Sequence, residues 1–305
     1  MIQGVEEVSA ELEKRINSAK IDVPMLPETA NKVIILSQDS DSDAAQLAQL
    51  IQSDQSLAGH VMRIANSAAY TPNNSMVSLQ QAIARLGINL ISEIALAASI
   101  SSKMFKAPGF EDYLDKTWRH ALATALWSKE VARVGRRNVE ANFLCGLLHS
   151  IGRPVALQEC INIGDKLSLA LPQKNLLALV ENYQQTTGLT VVEKWGMPKI
   201  VCDVIRSLDQ HNHKLDHQPD NSTININTNK TTNTSKSSAS NTLEQTASVL
   251  CGIQFASHML EPDTLTLKQL SEDPILSEVN LYQDEVTLLL DKQDVIRSTM
   301  ESMLS

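Results

Sequence analysis

The sequence predicts an all-α protein built from many short helices, and three observations carry that prediction. Apolar residues recur at helical spacing along nearly the whole of the 305 residues, the pattern of helices that bury one face. No segment shows sustained period-two alternation bounded by hairpin turns, so sheet content should be very low. Helix-start chemistry stands ahead of several periodic stretches. The even spacing of the helices invites a repeat architecture, but no self-similar motif recurs, and a solenoid is rejected.

Element by element, Val5, Val8, Leu12 and Ile16 share one face of an N-terminal helix over 1–20. Pro27 is suited to the first position of a helix carrying Ala30, Val33, Ile34 and Leu36, since its ring fixes a helical φ and it lacks only an N–H the first turn would leave unpaired. Ser42 or Asp43 can cap the next helix, with Leu47, Leu50 and Ile51 as its stripe, and Asp54 can cap another holding Leu57, Val61 and Ile64. Ser78 and Gln81 have capping-box spacing, and Gly87 closes the short helix they begin. Further helices are expected over 90–104, 113–134, 139–149, 152–161, 172–186 and 198–208. From Asn221 to Thr242, 17 of 22 residues are Ser, Thr or Asn, too polar to offset the entropy of ordering, which predicts a flexible insertion. Helical patterning resumes at Leu243 with Val249, Leu250, Ile253 and Ala256, and two short helices over 266–276 and 284–303 end the chain.

Composition limits the function classes. With 43% apolar but only 4% aromatic residues, the core must be aliphatic. A formal net charge of -9 repels nucleic acid and anionic membranes, so neither is expected as a partner. The nearest basic cluster, Arg133, Arg136 and Arg137, reads as a solvated helix end. Cys145, Cys160, Cys202 and Cys251 have no ligand spacing and sit in apolar helical contexts, as reduced core thiols do. The N-terminus has no apolar signal region, and the longest apolar run, 94–100, is too short for a span. A cytoplasmic location is therefore expected.

The sharpest motif is Gly146-Leu147-Leu148-His149-Ser150-Ile151-Gly152. A His followed at once by Asp near a helix end supplies adjacent imidazole and carboxylate ligands to a divalent metal, whose bound water attacks a phosphoester. Ser150 cannot take that part, because a neutral hydroxyl offsets none of the cation's charge. Trp118-Arg119-His120, on a long helix, could bring a second imidazole opposite His149. Two imidazoles without a carboxylate make an incomplete site, and a core histidine satisfied by its neighbours is the plainer reading of each. His211, His213 and His217 border the polar insertion and read as solvated.

Several ordered stretches resemble the HDOD domain, the HD-related output domain of bacterial signalling proteins. They are Leu26-Pro27, Leu47 to Asp54, Arg63 to Tyr70 and Ala82 to Gly87, then Trp118 with His120, Phe143 to Gly152, and finally Glu181, Gly188 and Trp195 to Pro198. The resemblance covers about residues 21–260, and divides the chain into an N-terminal helix (1–20), the HDOD domain (21–220), the insertion (221–242) and C-terminal helices completing the bundle (243–305). It implies a two-lobed, HD-like helical bundle that generally lacks phosphohydrolase activity and serves as an output or scaffold module in bacterial signal transduction. Compared with relatives, Ser150 replaces the Asp, Gln184 stands where many carry His, Leu208 and Asp209 where many carry a His pair, and Ile253 or a neighbour where an Asp is common.

The candidate ligand or interaction residues are therefore His120, His149, Asn66 and Arg85. Asn66 and Arg85 have structural readings as a helix stop and a helix bridge. No metal and no cofactor are expected. The expected role is binding a partner signalling protein or a small ligand through a cleft between the lobes, with a cyclic dinucleotide as a possible ligand. The rival is a metal-dependent phosphohydrolase acting on a nucleotide or cyclic dinucleotide, with Asp203 or Asp209 supplying the missing carboxylate.

Overall fold

The computed structural model describes residues 2–38, 43–67, 70, 75–100, 104–215 and 233–304, and among these it contains helices and no strand. The N-terminal helix α1 (Ile2–Asn17) buries Val8 and Leu12 completely. It does not join the helices that follow it, packing instead on α9 and α10 of the second lobe.

Helices α2 (Glu28–Gln38), α3 (Ala44–Gln52), α4 (Gln55–Ala65), α5 (Leu79–Leu86) and α6 (Ile88–Ser99) pack on one another as the first lobe. Their starts follow the sequence closely. The Asp43 carboxylate accepts from the Gln46 N–H at 2.8 Å, and Asp54 accepts from Leu57 N at 3.0 Å, each satisfying an otherwise unpaired first-turn donor. At α5 the expected box is altered: Ser78 caps Gln81 N, but the Gln81 side chain reaches one residue further back, to Val77 N at 2.9 Å. Gly87 then turns the chain by 120° directly into α6, at φ 88, a left-handed conformation that glycine adopts without steric cost. Residues 88 and 89, expected outside a helix, are its first turn.

The second lobe is α7 (Glu111–Val134), α8 (Val139–Leu148), α9 (Gly152–Leu167), α10 (Gln173–Lys194), α11 (Lys199–Leu215) and α12 (Asn233–Leu260). Its backbone is a set of extensive packings of α7 on α8 and α12, and of α9 on α10. Trp127 and Phe255 stack at the centre with ring centroids 4.9 Å apart, both wholly buried. Helix α12 begins at Asn233, ten residues before the Leu243 that the composition suggested. Residues 221–232 of the expected insertion lie outside the described residues.

The C-terminal α13 (Leu267–Ser271), α14 (Ile275–Glu278), α15 (Gln283–Leu290) and α16 (Gln293–Leu304) close the structure. The last of these touches both α6 and α7, so it bridges the lobes. Arg137 is not solvated: it is only 11% exposed, with its guanidinium directed to Ser248 and the Val279 carbonyl, and so ties α12 to the C-terminal segment. Among the described residues no single helix is long and apolar enough to cross a membrane. All four cysteines are free, and Cys145, Cys160 and Cys251 are buried.

Candidate functional site

His120 lies mid-way along α7 and His149 caps the C-terminal end of α8, and the crossing of these helices brings their rings to 5.6 Å, tilted by 53°. The His149 Nδ1 is 2.7 Å from the Gly146 carbonyl. A carbonyl can only accept, so Nδ1 carries the proton and Nε2 keeps its lone pair, the tautomer that metal-ligating histidines use. Across the pair, His120 Nε2 meets the Ser257 hydroxyl at 3.1 Å, with Thr124 Oγ1 a weaker 3.4 Å from Nδ1.

Both imidazoles are held neutral. Burial, and secondarily the Arg153 guanidinium, push His120 down to about 4. Burial, then His120 itself, push His149 down to about 3. Arg153 follows Gly152 on α9 and is oriented by α10, donating to Gln184 Oε1 at 2.7 Å and pairing with Glu181 at 3.1 Å.

This geometry depends on glycine. A Cβ on Gly152 would stand 1.7 Å from the Gln184 carbonyl oxygen and 2.5 Å from Gly188 N, so α9 and α10 approach at a distance that no side chain permits. On α8, a Cβ on Gly146 would meet the Ala125 Cα of α7 at 2.7 Å. Gly146 thus sets how closely the histidine-bearing helices α7 and α8 lie, and Gly152 how closely α9 lies on α10.

The remaining sequence candidates are placed as follows. Ser150 is buried and lines a small apolar hollow with Phe105, Leu114 and Trp118. Gln184 accepts from Arg153 through its side-chain amide oxygen. On α12 the group facing His120 is Ser257, one turn beyond Ile253. Leu208 is buried in the core. Asp203 is engaged by Lys199 at 2.5 Å and Arg206 at 3.1 Å on its own helix, and among the described residues it gathers with no other metal-type donors. His217 lies outside the described residues, as do the side chains of Asp209, His211 and His213. Asn66 ends α4 and is bonded to the backbone of Met76: its amide donates to the Met76 carbonyl at 2.9 Å and accepts from Met76 N at 2.6 Å. Arg85 is exposed near the end of α5. The four candidates therefore fall two to a lobe, and only His120 and His149 come together.

The profile of the HDOD domain matches residues 23–211. The chain belongs to the HDOD domain family. In fold, this HDOD chain is similar to a protein of Shewanella amazonensis SB2B provisionally named a metal-dependent phosphohydrolase, with TM-score 0.67 and 17% identity over 99% of both chains. It is also similar to a provisionally named signal transduction protein of Marinobacter aquaeolei VT8, with TM-score 0.62 and 20% identity, covering 97% of this chain and 66% of that one. A curated Treponema pallidum (strain Nichols) protein of uncharacterized function is 21% identical over 211 residues, 65% of this chain. The chain's match spans 39% of that relative's length.

The scaffold of an HD domain implies a divalent metal, and the donors among the described residues do not fit one. Among the described residues no group of three or more His, Cys, Asp or Glu side chains gathers as a metal site. The two imidazoles are accompanied by the Ser257 hydroxyl and by the positive field of Arg153. Hard divalent cations need anionic oxygen donors, and a cationic neighbour acts against their binding as it acts against protonation of the imidazoles.

Proposed function

We propose that this HDOD chain is a non-catalytic output module of bacterial signal transduction, acting in the cytoplasm by binding a partner signalling protein across its two helical lobes. The observation that carries the reading is the electrostatic character of the His120–His149 pair. Two neutral imidazoles stand side by side, His120 meets a serine hydroxyl, and the permanent charge acting on both is the Arg153 guanidinium. Activation of water at neutral pH needs a Lewis acid or a base with a suitably placed pKa, and imidazoles depressed to about 4 and about 3 are weak bases. What the HD scaffold retains is rigid, closely packed helices that can present a surface.

The test is metal analysis of protein purified without chelator, followed by a phosphatase and phosphodiesterase panel. Sub-stoichiometric metal and no turnover are expected. Stoichiometric metal with robust turnover lost in His149→Ala would overturn the reading in favour of the phosphohydrolase. Capture of partners from the native cell, with the full chain and with a variant lacking 221–242, would identify the signalling protein. A cyclic dinucleotide is the less favoured ligand, because among the described residues the cavity between the lobes is lined by the carboxylates of Glu93 and Glu140 and by no Lys or Arg. Calorimetry with cyclic dinucleotides measures it directly.

A further inference from the structure

Helices α15 and α16 are joined only by Asp291 and Lys292, and the chain keeps its helical phase across them. The Lys292 N–H bonds to the Leu289 carbonyl, and the Ile296 N–H to that of Lys292. Buried side chains run through both helices as Val286, Leu289, Ile296, Met300 and Met303, with Leu289 and Ile296 one heptad apart. That stripe packs on α7, and α16 also reaches α6.

The opposite face keeps the same phase. Its positions are Asp284, Leu288, Asp291, Val295 and Ser298, all exposed. Leu288 is 62% and Val295 61% exposed, and they hold equivalent positions one heptad apart. An isolated apolar side chain on a surface needs no explanation, and Met25, Ile35, Val77, Leu167 and Leu243 are scattered in that way along the chain. Leu288 and Val295 instead share one stripe that no described element covers.

The unanswered charge along this stripe has one sign. Asp284 and Asp291 lie on it and Asp294 adjoins Val295, and none of the three forms an ion pair among the described residues. The cations nearby are engaged elsewhere: Lys292 pairs with Glu130 at 2.5 Å, and Arg297 donates to the Met259 carbonyl at 2.7 Å. Asp284 and Asp294 stand in first turns, where a helix favours an anion in any case. The Asp291 carboxylate, between the helices, makes no hydrogen bond among the described residues.

We propose that the outer stripe of α15 and α16 is a docking surface for a basic amphipathic helix of a partner protein. Apolar side chains of that helix would interdigitate with Leu288 and Val295, and its Lys or Arg side chains would meet Asp284, Asp291 and Asp294. A helical occupant follows from the spacing, because apolar groups repeated by the heptad form a seam for a second helix. A cationic occupant follows from the charge. A second copy of this chain would set acid against acid, with a formal net charge of -9 on each, and nucleic acid or anionic lipid would be repelled in the same way. Because α16 touches both lobes, a helix docked there bears on the element that joins them. The inference rests on the binding-module reading and gives it a surface and a class of partner.

The test uses the full chain and labelled synthetic helices of about 21 residues, long enough to be helical alone, titrated by fluorescence anisotropy. One carries Leu along one face and Lys on its flanks. The second has Glu in place of Lys, and the third Ala in place of Leu. The Lys–Leu helix is expected to bind, and the other two at least about tenfold more weakly. Leu288→Ala and Val295→Ala should each weaken it about tenfold, as truncated interface anchors do. Asp291→Asn should weaken it about threefold and make its affinity less sensitive to salt. Ile35→Ala, at a 60% exposed position on α2, should bind as the parent does. All four positions are exposed, so each variant should keep the parent's melting temperature. Affinity unmoved by Leu288→Ala and Asp291→Asn, equal binding of the Glu helix, or no binding at ~0.1 mM overturns the docking surface. Self-association in sedimentation that Leu288→Ala abolishes assigns the face to a second copy, and binding gained only on deleting 221–232 assigns it to this chain's own segment; either result also overturns the proposal. The module reading falls separately, on the metal and hydrolase panel.

Discussion

Replacing Gly152 by alanine should be among the most disruptive single-atom additions this chain can suffer. The added Cβ would lie 1.7 Å from the Gln184 carbonyl oxygen and 2.5 Å from Gly188 N. Both obstacles are backbone atoms inside α10, so no side-chain rotation relieves them and the helices must separate. Overpacking a close-packed interior costs roughly 1–3 kcal/mol, occasionally more, and with two backbone obstacles Gly152→Ala belongs at the top, about 3 kcal/mol. For a large domain this lowers the melting temperature by roughly 6–12 °C. Gly59→Ala is the internal control: a Cβ at that exposed position in α4 meets nothing within 4 Å, and should raise stability by up to about 1 kcal/mol. Thermal melts and urea midpoints of the two variants measure the difference. If Gly152→Ala melts with the parent, α9 and α10 do not approach as described, and the placement of Arg153 against Gln184 fails with them.

The neutral imidazoles make a pH prediction. Both sit below their ordinary 6.5 in the folded chain, so between pH 6.5 and about 4 the unfolded chain binds protons that the folded one refuses, and stability falls as pH drops. At about 1.4 kcal/mol per unit, His120 alone contributes a loss of about 3 kcal/mol, and His120→Asn should flatten urea stability over that window; an unchanged slope would contradict the assignment. Lys129→Met leaves Glu93 buried and unpaired, a loss of ~3–5 kcal/mol. Because burial raises the Glu93 pKa, lowering the pH should recover part of that loss by protonating it, and a deficit that stays constant with pH would count against the pair. Asn66→Ala strips both bonds to the Met76 backbone and should lower stability by about 1–3 kcal/mol, read as a urea midpoint; no change would mean that water replaces the amide.

How much of this was legible in the sequence follows from the range of each interaction. Asp43 and Asp54 act on N–H groups three residues away, so spacing alone exposes them. The same holds for the stripes of Val8, Leu12, Val61 and Ile64, all wholly buried. The periodic signal faded where helices have polar ends. α9 continues past residue 161 to Leu167 and α10 past 186 to Lys194, held by mutual packing that no local pattern records. Arg137 misled for a related reason: a run of three arginines near a helix end looks solvated until α12, more than a hundred residues later, supplies Ser248.

The candidate site divides along the same line. His149 carries a sharp local motif, and its partner His120 was found by the expectation that two helices would cross. Ser257 and Arg153 had no local signal at all, because each matters only through a contact across helices, and each changes the chemistry of the pair. Serine in place of a carboxylate removes the charge that would hold a metal. Arginine beside the imidazoles adds charge of the opposing sign. A single missing Asp at position 150 could be compensated by a carboxylate from elsewhere, and the sequence offers Asp203 and Asp209. Asp203 is engaged by Lys199 and Arg206 and the side chain of Asp209 lies outside the described residues, so the reading against metal chemistry rests on the described neighbourhood of two histidines rather than on one substituted residue.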